Sequence, residues 1–203
     1  MRIKAVALVT LTCAVCVAVS LPAGALTRGQ LQTKLLSVSN LPTGWSVDNS
    51  SSSKSSITSG CLAGIKQAPK SEVKVSASFA NGQLPVLEEE LVTGRSASAA
   101  AYNRLTHILA VCKHFSESSG GQTVNYTVGA MSFPPVGNTS SAYSVTFSVQ
   151  GVNAGFDVVV FRAGTIAGLV ALADIGQVDT GQLQSFVTEA VNKVEGKPVQ
   201  ATL

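Results

Sequence analysis

Between Ala142 and Gly164 the chain reads AYSVTFSVQ, then GVNAG, then FDVVVFRAG. Tyr143, Val145, Phe147 and Val149 take every second position with Ser or Thr between them, so they share one side of an extended strand. The five-residue connection carries glycine at both ends, and an equally apolar β-branched run follows it. Two such runs joined so closely can satisfy their backbone groups only by pairing antiparallel. This is the strongest hairpin in the chain, and any fold must be built around it.

Neighbouring segments extend the pattern. TVNYTVGAMSF, from Thr123, alternates as a strand, and TIAGLVALAD, from Thr165, has the Val/Leu/Ile content of a buried strand with Gly168 inside it. EVKVSASFA, Glu72 to Ala80, sets Val73, Val75, Ala77 and Phe79 against Lys74, Ser76 and Ser78. Asn81-Gly82-Gln83 is a turn, and LPVLEEELVTG is read as its partner strand, although Glu88, Glu89 and Glu90 also suit a helix. In a strand Glu88 and Glu90 point to one side and Glu89 to the other, and the run is read as a solvated sheet edge that discourages pairing between molecules.

Helical spacing appears in three places. Leu31, Leu35, Leu36 and Val38 imply a short first helix over Thr27–Val38 with Thr27 as N-cap, stopped before Pro42. Ser96 caps a helix through ASAAAYNRLTHILAVCKHF with Leu105, Ile108, Leu109 and Cys112 inward. Leu183, Phe186, Val187, Ala190, Val191 and Val194 mark a last helix from about Thr180, ended by Gly196 with Pro198 behind it. Trp45, the only tryptophan, follows the turn Pro42-Thr43-Gly44 and is read as a core anchor rather than a ligand platform. The expected fold class is α+β: a twisted, mostly antiparallel sheet of five to six strands, helices packed against it, one domain and one disulfide.

The amino terminus adds a location. Arg2 and Lys4 precede Ala5 to Val19, 15 residues without a charge, and Ser20-Leu21-Pro22 breaks the run. That is a signal-peptide pattern, shorter than the roughly 20 residues of a membrane span. Ala23-Gly24-Ala25 places small residues where signal peptidase needs them, so cleavage is expected after Ala25. Cys13 follows Thr12 and Cys16 follows Val15, a poor fit to a lipid-modified cysteine, so a freely secreted form is preferred to a lipid-anchored one, with an uncleaved anchor third. Residues 26–203, 178 in number, suit a single domain with a sizeable core, and the Ser-rich stretch 49–60 is expected to be a mobile loop.

Cleavage removes two of fourteen basic residues, leaving twelve against eleven acidic ones. A near-neutral chain without a basic stripe does not suit nucleic acid. Cys61 and Cys112 are the cysteines that remain, and in an oxidising compartment they read as one disulfide. Closing that loop would restrict the unfolded chain by about 4 kcal/mol. Two free thiols, or half a metal site, are the alternatives.

No catalytic apparatus is legible. There is no G-x-S-x-G elbow for a serine nucleophile. His107 and His114, seven apart on one helix, would lie about 10 Å apart along its axis, too far to share a metal ion, and both are expected at the surface. Glu88 to Glu90 supply carboxylates for a glycosidase-like pair, but the solvated reading is preferred. Asp157, Asp174 and Asp179 do not form a calcium loop. Asn49, Asn125 and Asn138 begin glycosylation triplets that matter only in a eukaryotic host. No cofactor and no metal are expected.

Taken in order, LPTGW, Cys61, the alternating hairpin, YNRLTHILAVCKHF with Cys112, the long hairpin with VVVFRAG, and FVTEAVNKV resemble the secreted and lipoprotein sensor-like domains of actinobacteria. Those are related to the extracellular domain of PknH-type serine/threonine kinases. The resemblance implies an α+β domain with a ligand-binding cleft, and Cys61 and Cys112 would match one of its disulfides. This chain lacks a second mature cysteine pair, and no kinase domain or spanning helix precedes the domain, so signalling through a kinase is not carried over.

The expected function is a secreted, cell-envelope or extracellular binding module without catalytic activity, taking a small or lipid-like ligand in a cleft whose ligand-binding residues are unknown. A secreted protein–protein interaction module, docking through a sheet edge or the Ser-rich loop, is the alternative. A hydrolase working around Glu88 to Glu90 or His107 ranks below it.

Overall fold

The computed structural model describes residues 26–49, 61–62, 72–94, 96–119 and 122–198. The signal segment 1–25, the cleavage position at Ala25 and all of the Ser-rich stretch except Asn49 lie outside the described residues. Eight strands form one sheet, each pair antiparallel: β1 (Trp45–Val47), β2 (Val73–Asn81), β3 (Val86–Thr93), β4 (His114–Ser119), β5 (Gln122–Ala130), β6 (Thr139–Val149), β7 (Val152–Ala163) and β8 (Ile166–Ile175). Their order across the sheet is β1-β2-β3-β8-β7-β6-β5-β4. Helix α1 (Arg28–Gln32) precedes β1, α2 (Ala97–Val111) joins β3 to β4, and α3 (Thr180–Glu195) ends the fold.

The expected five to six strands are therefore corrected to eight. The two missed strands share a cause: neither carries enough apolar alternation to announce itself. β1 has three residues, pairing Trp45 with Asn81 and Val47 with Phe79. β4 is HFSESS, and its polar side chains bond across to β5, as Ser116 Oγ does to Asn125 Oδ1 at 2.6 Å. β4 also takes residues assigned to the second helix, which stops at Val111, with Cys112 as its C-cap in an extended conformation. Ser96 begins α2 but makes no side-chain cap bond.

The first helix is shorter than its spacing implied. Thr27 and Gln30 form a capping box, yet α1 ends at Gln32 and a 3-10 turn follows at Val38–Asn40. Asn40 Oδ1 accepts from both the N–H and the hydroxyl of Ser37, at 2.9 and 2.7 Å, and such a local bond offers the backbone an alternative to the helix. Leu31, Leu35, Leu36 and Leu41 are still buried, delivered by an irregular strap. Helix α3 is capped at both ends: Asp179 accepts from the Gln182 N–H, and Gly196, the expected stop, closes it in the left-handed region at φ 71°.

Each face of the sheet carries a core. On one side α3 and the strap enclose Phe79, Leu87, Leu91, Val159, Phe161, Val170 and Leu172. Trp45 is the peg of this layer, 5% exposed, with its ring edge-on to Phe186 at 5.1 Å between centroids. Phe161 lies opposite Gly168, where a Cβ would come within 2.2 Å of its ring; only glycine leaves room for it. On the other side α2 covers Val128, Tyr143, Val145, Val158 and Val160 through Leu105 and Leu109. Cys61 is disulfide-bonded to Cys112, with Cα atoms 5.6 Å apart, and Leu62 is buried in this second core.

Candidate functional site

Strand β3 places its three glutamates by strict alternation. Leu87, Glu89 and Leu91 project toward α3 and the strap, while Glu88 and Glu90 project to the α2 side. The reading of these residues as a sheet edge is corrected: β3 lies between β2 and β8, with Glu89 opposite Ala77 on one neighbour and Val170 on the other. Both neighbours hydrogen-bond it, so the charges are held inside the sheet.

Glu90 forms an ion pair with Lys74 of β2, and both side chains stay partly exposed. Glu89, one residue earlier, is 1% exposed. Its Oε2 accepts the Leu36 N–H at 2.6 Å, and its Oε1 is buried without a hydrogen-bond partner among the described residues. Burial pushes its pKa up to about 7, against the opposing pull of the Leu36 N–H and of Lys193. A buried carboxyl favours the neutral form because its charged form loses hydration.

Lys193 comes from α3, and its Nζ donates to Asn40 Oδ1 at 2.9 Å. Burial lowers its pKa, while Glu89 and Glu189 act in the opposite sense. Lys34 Nζ donates to the Lys193 carbonyl at 3.3 Å. Strap, β3 and α3 are thus joined by a polar cluster at the margin of the main core.

Beside the cluster runs a groove of about 920 Å³ whose lining comes from both sides of β2. Leu35, Leu36, Ser37 and Val38 of the strap line it with Ala77 and Glu89; Lys74, Ser76, Ser78, Glu88, Glu90 and Leu169 belong to the opposite side. Val47, Asp48 and Asn49 complete it at the end of β1. Val38 and Val47 are 40% and 53% exposed, so apolar surface faces solvent here. An apolar wall with a few fixed polar groups is what a small-molecule site needs.

The other sequence candidates stand apart from the groove lining. His107 is exposed on α2, and His114 opens β4, where its Nδ1 lies 3.4 Å from Thr127 Oγ1; the two do not share a helix. Asp157 is buried in β7, its pKa raised by that burial and eased by a bond from Ser144. Asn125 and Asn138 are exposed, and Asn138 Oδ1 accepts the Gly164 N–H at 2.6 Å. No three potential metal ligands cluster among the described residues, and no described helix is long and apolar enough to cross a membrane. Sequence reasoning missed the Glu89 cluster, although the alternation Leu87-Glu89-Leu91 was a usable signal that Glu89 faces the core.

No family model matches the chain, and no curated protein matches it. Among solved structures, the chain is similar to the extracellular domain of PknH from Mycobacterium tuberculosis: the TM-score is 0.46 at 12% identity, covering 66% of this chain and 69% of that one.

Proposed function

We propose that the chain is an extracellular or cell-envelope binding module that holds a small or lipid-like ligand in the β2 groove and performs no chemistry on it. The observation that carries this reading is the groove itself: Leu35, Leu36, Val38 and Val47 give it an apolar lining on one side of β2, and the Lys74–Glu90 pair lines it on the other. Apolar area would supply affinity, and the few polar groups would supply orientation. The signal-peptide pattern with expected cleavage after Ala25 supports export of residues 26–203 as one domain, and the Cys61–Cys112 disulfide suits an oxidising compartment.

The test is a thermal-shift screen of residues 26–203 against fractionated organic extracts of cell envelope. A fraction binding only the folded state raises the midpoint, and the stabilisation grows with the logarithm of ligand concentration over Kd. The variant Val38→Asp, at a half-exposed wall position, should keep its own midpoint and lose the response. Absence of a response to every fraction, or an unchanged response in the variant, overturns the reading.

A further inference from the structure

Three contacts fasten the strap to the rest of the fold, and they converge on one short stretch. Leu36 N–H is bound by Glu89, Lys34 reaches the α3 carbonyl at Lys193, and Lys193 returns a bond to Asn40, which itself holds Ser37. The same stretch, Leu35 to Val38, is a wall of the groove. We propose that Glu89 is a proton-operated latch for this wall: with Glu89 neutral the wall is seated, and ionisation of Glu89 favours a loosened wall that lets water reach the carboxylate.

The direction follows from which groups face Glu89. Ala77 of β2 and Val170 of β8 stand opposite it on either side. The charged groups of α3 on this side are Lys193 and Glu189, and the strap contributes Lys34. Lys193 therefore answers two carboxylates, and the Leu36 N–H serves one Glu89 oxygen while the other is left unpartnered among the described residues. Such an anion gains from hydration that the seated wall denies it. With the seated pKa at about 7 and an ordinary value of 4.5 once hydrated, raising pH through that window shifts the equilibrium toward the loosened wall by up to about 300-fold. The latch matters for binding only through the groove of the proposed function, and so rests on that reading for its consequence.

The test uses the protein without ligand, so that failure of the latch and failure of binding are seen separately. Amide hydrogen exchange of Leu36, corrected for the intrinsic rate, is measured at pH 5.5 and pH 8. Protection of Leu36 should fall at least tenfold at the higher pH in the wild type and stay level in Glu89→Gln, whose amide oxygen can still accept the Leu36 N–H. Amides of Val159 and Val170 in the core report global opening in the same samples. Protection of Leu36 that does not change with pH overturns the proposal, as does a change shared equally by the core amides or retained in the variant. Should Glu89→Gln not fold, carbon NMR of the wild-type Glu89 carboxyl replaces it: its midpoint and that of the Leu36 amide shift must coincide near pH 7, and separate midpoints overturn the proposal.

Discussion

Glu89 and Glu90 are consecutive residues of one strand, and they meet opposite environments. Glu90 stands on the α2 side among Lys74, Ser76 and Ser78, where water and a cation share its charge. Glu89 stands on the α3 side between Leu87 and Leu91, with one backbone donor and one oxygen that has no partner among the described residues. The two faces differ in how they are closed. The α3 side is shut along β2 and β3 by the strap, whereas the α2 side near β2 is polar and part of the groove. A charge is tolerated on the open face at little cost, while on the closed face it becomes a titratable tension in the fold.

Breaking the closed face should have the largest effect. Trp45→Ala removes the ring that meets Phe186 and should lower unfolding free energy by about 4 kcal/mol in denaturant titrations. Retention of wild-type stability would show that Trp45 does not help to close that core. Next comes the titration of Glu89. Its folded pKa is raised, so the folded state binds the proton more tightly than the unfolded chain, and stability falls as pH rises from 4.5 to about 7. The full difference is worth about 3 kcal/mol. Subtracting the stability profile of Glu89→Gln from that of the wild type cancels every other titrating group and should leave this decline alone.

The α2 side offers a contrast within itself. Arg104 of α2 makes a two-pronged pair with Glu72, whose side chain is 1% exposed. Arg104→Met strands that carboxylate and should cost about 3 kcal/mol or somewhat less, given that Arg104 is partly exposed. Lys74→Gln, which breaks the exposed pair with Glu90, should cost less than about 1 kcal/mol and vanish in high salt. Equal effects from the two substitutions would refute the distinction between closed and open charge.

The sequence made the central strands legible because β5 and β6 alternate over nine and eleven residues, long enough for period two to stand out, while β7 and β8 are long apolar runs with the content of buried strands. Trp45, the α3 stripe and the Gly196 stop were legible for the same local reason. What was not legible depends on partners distant in the chain. β1 and β4 are strands because neighbours pair with them. The three glutamates looked like an edge because nothing local says that β8, some 80 residues later in the chain, will lie against β3. The candidate site was hidden in the same way: Glu89 and Leu36 are 53 residues apart, and Lys193 is farther still. Only the Leu-Glu-Leu alternation pointed inward, and the flanking acids masked it.

The strap and α3 lie at opposite ends of the described chain, yet they cover the same core and bond to each other through Lys34, Lys193 and Asn40. A polypeptide emerging amino end first therefore carries Leu31, Leu36 and Trp45 without their helical cover until residues 180–195 have appeared. Hairpins between can pair early, because their partners are adjacent in sequence. The last helix is thus a clasp, and a chain truncated before Thr180 would keep paired strands but leave its main core open, with its beginning waiting for its end.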